Sequence, residues 1–256
     1  MPGKYRIKSL EKIITILSCI YDCKNCANLN EITKKTGINK TTCFRLLQAM
    51  MAMNIVIQRQ EHKVYSLGPQ LISWGLFALS ELDFHKEALP LMKILQTDTG
   101  ESVNLSILDG TDVVIIERFR SNHLYSLNVN NGTRLPVYCT SHGKIILSYL
   151  PESKLEVILK KIQFIPLTNR TIINVDSFRK ELKKTKKRGY AINMEEFEKG
   201  MAAVAGPVLN HKGEVIASLN VSYATARHSE LQYNSNLAKK VLIACKKLSH
   251  SLGRIE

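Results

Sequence analysis

The chain of 256 residues is 45% hydrophobic, enough for two ordinary domains with buried cores, and this excludes a wholly disordered polymer. Lys and Arg outnumber Asp and Glu by 36 to 22, a formal net charge of +14 that points to a polyanionic partner. No apolar run reaches the ~18 residues of a membrane span, and the opening MPGKYRIKSLEK lacks the apolar stretch of a signal peptide, so the expectation is a cytoplasmic protein with no membrane partner.

Half of the charge excess falls in the first quarter of the chain, where residues 1–67 hold 11 Lys/Arg against 4 Asp/Glu. The same segment reads as three helices and a hairpin. Ile7, Leu10, Ile13, Ile14, Leu17 and Ile20 recur at spacings of three and four, which predicts one apolar stripe on a helix from about residue 6 to residue 22. Asn28-Leu29-Asn30-Glu31 has the form of a capping box, opening a short second helix that stops at Gly37. Asn39 then caps a third helix from Lys40, with Phe44, Leu47 and Met51 on its inner face and Lys40, Thr41, Arg45 and Gln48 on its outer face. A short helix, a glycine turn and a helix with a polar exposed face describe a helix-turn-helix. Residues 55–59 and 64–67 add a two-stranded wing.

Gly68-Pro69 interrupts the pattern, and residues 70–98 carry two helical stretches that part near Leu82 to His85. The first holds Leu71, Ile72, Trp74, Leu76, Phe77, Leu79 and Leu82, apolar residues suited either to a core or to pairing of two chains. Strands follow at 102–108 and 113–119, joined by the hairpin dipeptide Asp109-Gly110. Helices are predicted near 141–150, 153–161 and 176–188, strands near 201–209 and 215–222, and a closing helix. The class is α+β, divided as residues 1–67, a winged helix-turn-helix, residues 68–84, a linker helix, and residues 85–256, a second domain with a central antiparallel sheet.

Six cysteines in a chain expected in the cytoplasm argue for free thiols. Cys19, Cys23 and Cys26 have the C-x3-C-x2-C spacing that holds a cubane iron–sulfur cluster in radical enzymes using S-adenosylmethionine. Here Cys19 continues an apolar helical pattern and no glycine-rich cofactor motif follows, so packing is the expected role, with a redox- or metal-responsive regulator as the alternative. Neither a cofactor nor a metal ligand set is expected. G-x-S-x-G, H-E-x-x-H and G-x-G-x-x-G are absent, and Gly143-Lys144 lacks the rest of a phosphate loop. Glu195, Glu196 and Glu198 read as solvated loop acids rather than a catalytic pair. An enzyme is therefore not expected.

Three blocks carry a resemblance that spans nearly the whole chain. KSLEKIITIL, LNEITKKTGINKTTCFRLLQAM and YSLGPQL form the first, RLPVYCTSHGKIILSYLP at 134–151 the second, and RGYAINMEEFEKGMAAVAGPVLNHKGEVIASLNVS at 188–222 the third. In this order they resemble the IclR family of bacterial transcriptional regulators. The resemblance implies a GAF-like effector-binding domain after the winged helix, a double-stranded DNA operator as partner, and dimers that often pair into tetramers.

It also implies that the helix from Lys40 is the recognition helix, a task its residue types suit. Lys40, Thr41 and Thr42 can donate to phosphates at the positive end of the helix, and Arg45 can reach guanine O6 and N7 in the major groove. Arg59 and Lys63 on the wing would add contacts to the DNA backbone or minor groove. A single unit reads few base pairs, so a homodimer presenting two such helices about 34 Å apart is expected. By the resemblance, an effector pocket would draw on Leu124, Leu127, Ser141, His142, Asn193, Met201, Ala203, Asn220 and Ser222. The implied ligand is a small organic effector such as a carboxylate or sugar acid. Asn193 stands where relatives often have an acid and His142 where they often have a small residue, so neither ligand nor pocket size is inherited.

Overall fold

The computed structural model describes residues 6–59, 63–123, 129–228 and 230–254, and the chain separates into two compact units, Met1–Glu81 and Leu82–Glu256. The first unit contains α1 (Lys8–Asp22), β1 (Ala27–Asn28), α2 (Leu29–Thr36), α3 (Lys40–Ala52), β2 (Val56–Arg59), β3 (Val64–Leu67) and α4 (Pro69–Ser80). Its small sheet runs in the order β1-β3-β2, so the wing carries a third, two-residue strand that no local signal announces.

Local chemistry sets the helix boundaries. The Asn28 side chain accepts from the Glu31 N–H at 3.0 Å while the Glu31 carboxylate accepts from the Asn28 N–H at 2.8 Å, the reciprocal box expected for α2. Gly37 ends α2 at φ 70°, a left-handed position that suits glycine. Asn39 caps α3 by accepting from the Thr42 N–H at 2.8 Å. Gly68 is required for a steric reason, because a Cβ there would lie 2.1 Å from the Asn54 carbonyl oxygen.

Two helix faces differ from expectation. The core of this unit uses Ile16, Cys19 and Ile20 of α1, whereas Ile7, Leu10 and Ile14 are exposed. On α3 the buried residues are Cys43, Leu47 and Met50, with Leu46 and Met51 partly covered. Phe44 is 46% exposed and takes no part in that core. The periodicity is right in both helices, but an apolar stripe does not say whether it faces inward. Burying Leu47 or Met50 stabilises by roughly 1.5–3 kcal/mol each, so these two with Ile16, Ile20 and Ile32 fix the three-helix packing.

The second unit contains α5 (Asp83–Thr99), β4 (Ser102–Asp109), β5 (Asp112–Phe119), β6 (Arg134–Pro136), α6 (Ser141–Tyr149), α7 (Glu152–Leu159), α8 (Val175–Arg188), β7 (Ala191–Met194), β8 (Met201–Leu209), β9 (Val215–Ala224) and α9 (Glu230–Ser251). One antiparallel sheet has the order β6-β5-β4-β9-β8-β7. The pleat gives its faces opposite character. Val103 and Leu105 pair with Val221 and Leu219, which pair in turn with Val204 and Gly206, and this apolar face lies under α9. A Cβ on Gly206 would lie 2.7 Å from the Cys245 thiol of α9, so glycine lets the helix sit directly on the strand. The other face meets α6, and Gly143 at the start of α6 has no room for a Cβ, which would lie 2.2 Å from the Val137 carbonyl oxygen.

Candidate functional sites

The outer face of α3 carries two parallel ridges at i, i+4 spacing. Lys40, Phe44 and Gln48 form one, Thr41, Arg45 and Ala49 the other, and all six are exposed. Thr42 is half-buried and its N–H is already taken by Asn39, so only its hydroxyl is left for a ligand. Arg59 ends β2 and is exposed. Lys63 is exposed at φ 49° on the wing. The face thus presents a guanidinium, an ammonium, a carboxamide and hydroxyls without an acid among them, a donor set for phosphates and base edges.

The second site is the α6-facing side of the large sheet, where Ser102, Asn104 and Ser106 of β4 stand in register with Ser222, Asn220 and Ser218 of β9. All six are at most 5% exposed. They form a directed chain of hydrogen bonds. The Arg118 guanidinium donates to Asn104 Oδ1 at 3.0 Å and to Ser102 Oγ at 3.3 Å. Asn104 Nδ2 donates to Asn220 Oδ1 at 2.7 Å and to Ser222 Oγ at 3.3 Å, and Asn220 Nδ2 donates to Ser141 Oγ at 3.2 Å. Burial, with Arg120 nearby, draws the Arg118 pKa down to about 10, which leaves it charged at neutral pH.

His142 is 1% exposed, with Nδ1 against Ser218 Oγ. Burial pushes its pKa down to about 3, so the ring is neutral and is not the cationic partner for an anion that its charge chemistry would allow. Among the described residues no hydrogen-bond partner reaches the buried His142 Nε2 or the buried Ser106 Oγ. Since buried polar atoms are normally satisfied, these two point to a polar guest or water on this face.

Of the expected pocket residues, Ser141, His142, Asn220 and Ser222 come together in this cluster. Ala203 pairs with Ser222 and Asn193 with Ala203, extending the same row to the edge strand β7, and Met201 lies two residues from Ala203 along β8, opposite Ala224. Asn193 also has a local task, because its Oδ1 accepts the Glu196 N–H at 2.9 Å. Leu124 and Leu127 lie outside the described residues. Ser102, Asn104, Ser106, Arg118 and Ser218 were missed, although polar residues at every second position of two strands, Ser102-x-Asn104-x-Ser106 and Ser218-x-Asn220-x-Ser222, signal a polar sheet face.

The acidic loop also departs from expectation. Glu196 is buried and accepts from the Lys144 ammonium, which itself donates to the Ile192 carbonyl at 2.9 Å and is 1% exposed. Burial holds Glu196 above the usual carboxylate range, and the pair ties α6 to the turn after β7. All six cysteines are free. Among the described residues no group of three or more His, Cys, Asp or Glu side chains is arranged to hold a metal ion, and no helix is long and apolar enough to cross a membrane.

Comparison with known proteins identifies both domains. The family model of the IclR helix-turn-helix domain matches residues 9–60, and that of the bacterial transcriptional regulator IclR C-terminal domain matches residues 76–250. The HTH-type transcriptional regulator XynR of Escherichia coli strain K12 is 31% identical over 96% of this chain and 98% of its own. The crystal structure of the Thermotoga maritima IclR superposes with a TM-score of 0.75 at 27% identity, covering 97% of this chain and all of that one. An IclR homologue from Microbacterium hydrocarbonoxydans, solved in complex with 4-hydroxybenzoate, has a TM-score of 0.82 at 21% identity, covering 96% and 99% of the two chains. The chain belongs to the IclR family, DNA-binding transcriptional regulators with a C-terminal effector-binding domain, and is not an enzyme.

Proposed function

We propose that the chain acts in the cytoplasm as a homodimer that reads an operator with α3 and releases or tightens its grip when a small polar anion, a carboxylate or sugar acid, binds the polar face of the effector sheet. The observation that carries this is the row of buried polar side chains facing α6 in the second unit, where sheet packing alone calls for apolar ones. Arg118 supplies the positive charge there, the asparagines and serines supply orientation, and Met201 and Ala203 supply apolar wall. Lys40, Thr41, Thr42, Arg59 and Lys63 are assigned to the DNA backbone and Arg45 to a guanine.

Dimer formation is supported by two apolar surfaces of the first unit. Ile7, Leu10, Ile14, Leu17 and Tyr21 run along α1 at alternating spacings of three and four, the a/d pattern of a helix seam. The α4 helix has no buried residue, and Trp74 and Phe77 are 54% and 68% exposed. Such apolar exposure on a folded unit marks an association surface. With residues 68–84 as the linker, pairing through α4 sets the spacing of two recognition helices.

The test is binding of the purified chain to the DNA flanking its own gene, titrated with salt, with and without 4-hydroxybenzoate and a panel of sugar acids. Specific binding that Arg45→Ala abolishes, and that at least one small acid changes in wild type but not in Asn220→Leu, is the expected result. Binding that is equally strong on unrelated DNA and unchanged in Arg45→Ala overturns the assignment of α3.

A further inference from the structure

Phe44 is a large apolar side chain that the core of the first unit does not use. It sits in the middle of α3, 46% exposed, while the neighbouring Cys43 and Leu47 are fully buried and Leu46 and Met51 are packed against the core. Its ridge places it one turn from Lys40 and one turn from Gln48, beside Arg45 on the adjoining ridge. An exposed phenyl in the centre of a basic, hydrogen-bonding surface lies outside the core cluster of the unit and weakens the hydration of that surface.

We infer that Phe44 reads the 5-methyl group of a thymine in the major groove, close to the guanine assigned to Arg45. The inference rests on α3 being the DNA-reading helix and adds an apolar specificity determinant to it. Thymine alone among the four bases presents a methyl group in the major groove, and a phenyl ring is among the side chains that recognise it by contact. Phe44 and Arg45 are consecutive on α3 and both exposed, and with about 3.6 residues per turn their side chains diverge by about 100° around the helix axis. Lying along one groove, such a helix sends them to different base pairs of one half-site, one giving a polar reading and the other an apolar one. Lys40 on the same ridge holds the adjacent phosphate and keeps the ring against the groove floor.

The experiment uses the full chain and a pool of random DNA. Sequences selected from the pool by wild type define the half-site, and each thymine in one half-site is then replaced singly by deoxyuridine, which removes only the methyl group. One such replacement is expected to weaken wild-type binding about fourfold, the effect of one buried methyl group. Phe44→Ala is expected to bind the thymine and uracil versions equally while keeping the wild-type salt slope and oligomeric state. Phe44→Leu, which retains an apolar contact and a good helix former, should keep part of the preference and guards against a variant that fails to fold. Wild type that tolerates uracil at every half-site position overturns the inference, as does a thymine preference that survives in Phe44→Ala, or a change of oligomeric state in that variant. If Arg45→Ala leaves the selected motif unchanged, α3 is not the reading element and both assignments fall together; loss of guanine preference in Arg45→Ala with no thymine effect sinks only the role of Phe44.

Discussion

Acidification tests the buried state of His142 directly. The ring titrates near 6.5 in an unfolded chain and near 3 in the folded one, because burial disfavours the imidazolium. Between those values the unfolded chain binds the proton first, so stability is complete above about pH 6.5 and is lost as the pH falls, levelling off below about pH 3. Linkage with these two values gives a loss of about 2 kcal/mol between pH 7 and pH 5, approaching about 1.4 kcal/mol per pH unit at the lower end. Asparagine keeps a polar side chain opposite Ser218 but does not titrate, so His142→Asn should remove this slope. Glu196, held above the carboxylate range by burial, works in the opposite sense, but it is present in both proteins and cancels in the difference. Hydrogen exchange of the β8 and β9 amides at pH 7 and 5, corrected for the intrinsic rate, reads the stability of this unit. Equal losses in wild type and His142→Asn would refute a neutral, fully desolvated ring against Ser218.

If the proposed dimer pairs through α4, replacing Trp74 and Phe77 together by serine should give a monomer in sedimentation velocity and abolish specific DNA affinity, with the far-UV circular dichroism unchanged, since both side chains are exposed on their own unit. Gly143→Ala places a Cβ 2.2 Å from the Val137 carbonyl oxygen and should destabilise by about 1–3 kcal/mol, seen as a Tm lowered by several degrees. Arg118→Met should weaken an anionic effector by roughly 10- to 100-fold in calorimetric titration and leave effector-free DNA affinity unchanged, because a charge-assisted hydrogen bond contributes about 1.5–3 kcal/mol.

What the sequence disclosed and what it hid follow from the range of the forces concerned. The caps at Asn28 and Asn39 and the turn at Gly37 were legible because each is settled within about four residues. On α1 two apolar stripes share one helix, and periodicity could not tell the core set, Ile16, Cys19 and Ile20, from the outward set, Ile7, Leu10 and Ile14. The assignment of Phe44 to the core failed for the same reason. Strands β1, β6 and β7, of two, three and four residues, exist through pairing with distant partners and leave almost no local trace. The Lys144–Glu196 pair joins residues 52 apart and makes a buried group of what reads as a solvated acidic loop. The pocket set implied by the resemblance draws on β7, β8, β9 and the start of α6, with Leu124 and Leu127 outside the described residues, whereas the buried polar network also takes Asn104 from β4 and Arg118 from β5, which it does not name.

The pleat of the effector sheet bears on how such a regulator can change its signal. Val103, Leu105, Leu219 and Val221 point to the α9 side, and truncating one, as in Leu219→Ala, costs about 2–5 kcal/mol in transfer and cavity terms. A domain with total stability of about 5–15 kcal/mol tolerates few such losses. Their neighbours Ser102, Asn104, Asn220 and Ser222 point to the α6 side and contribute hydrogen bonds worth about 0.5–1.5 kcal/mol each, provided both partners are altered together. Removing only one partner strands the other in a buried site and costs more, so substitutions on this face should come as pairs across β4 and β9. Because alternate residues of the same strands face the two sides, paired polar exchanges on the proposed ligand face would leave the apolar set under α9 unchanged. A double-mutant cycle on Asn104 and Asn220 should show a clear interaction energy, and Asn104 with Leu219, whose side chain points to the other face, a smaller one.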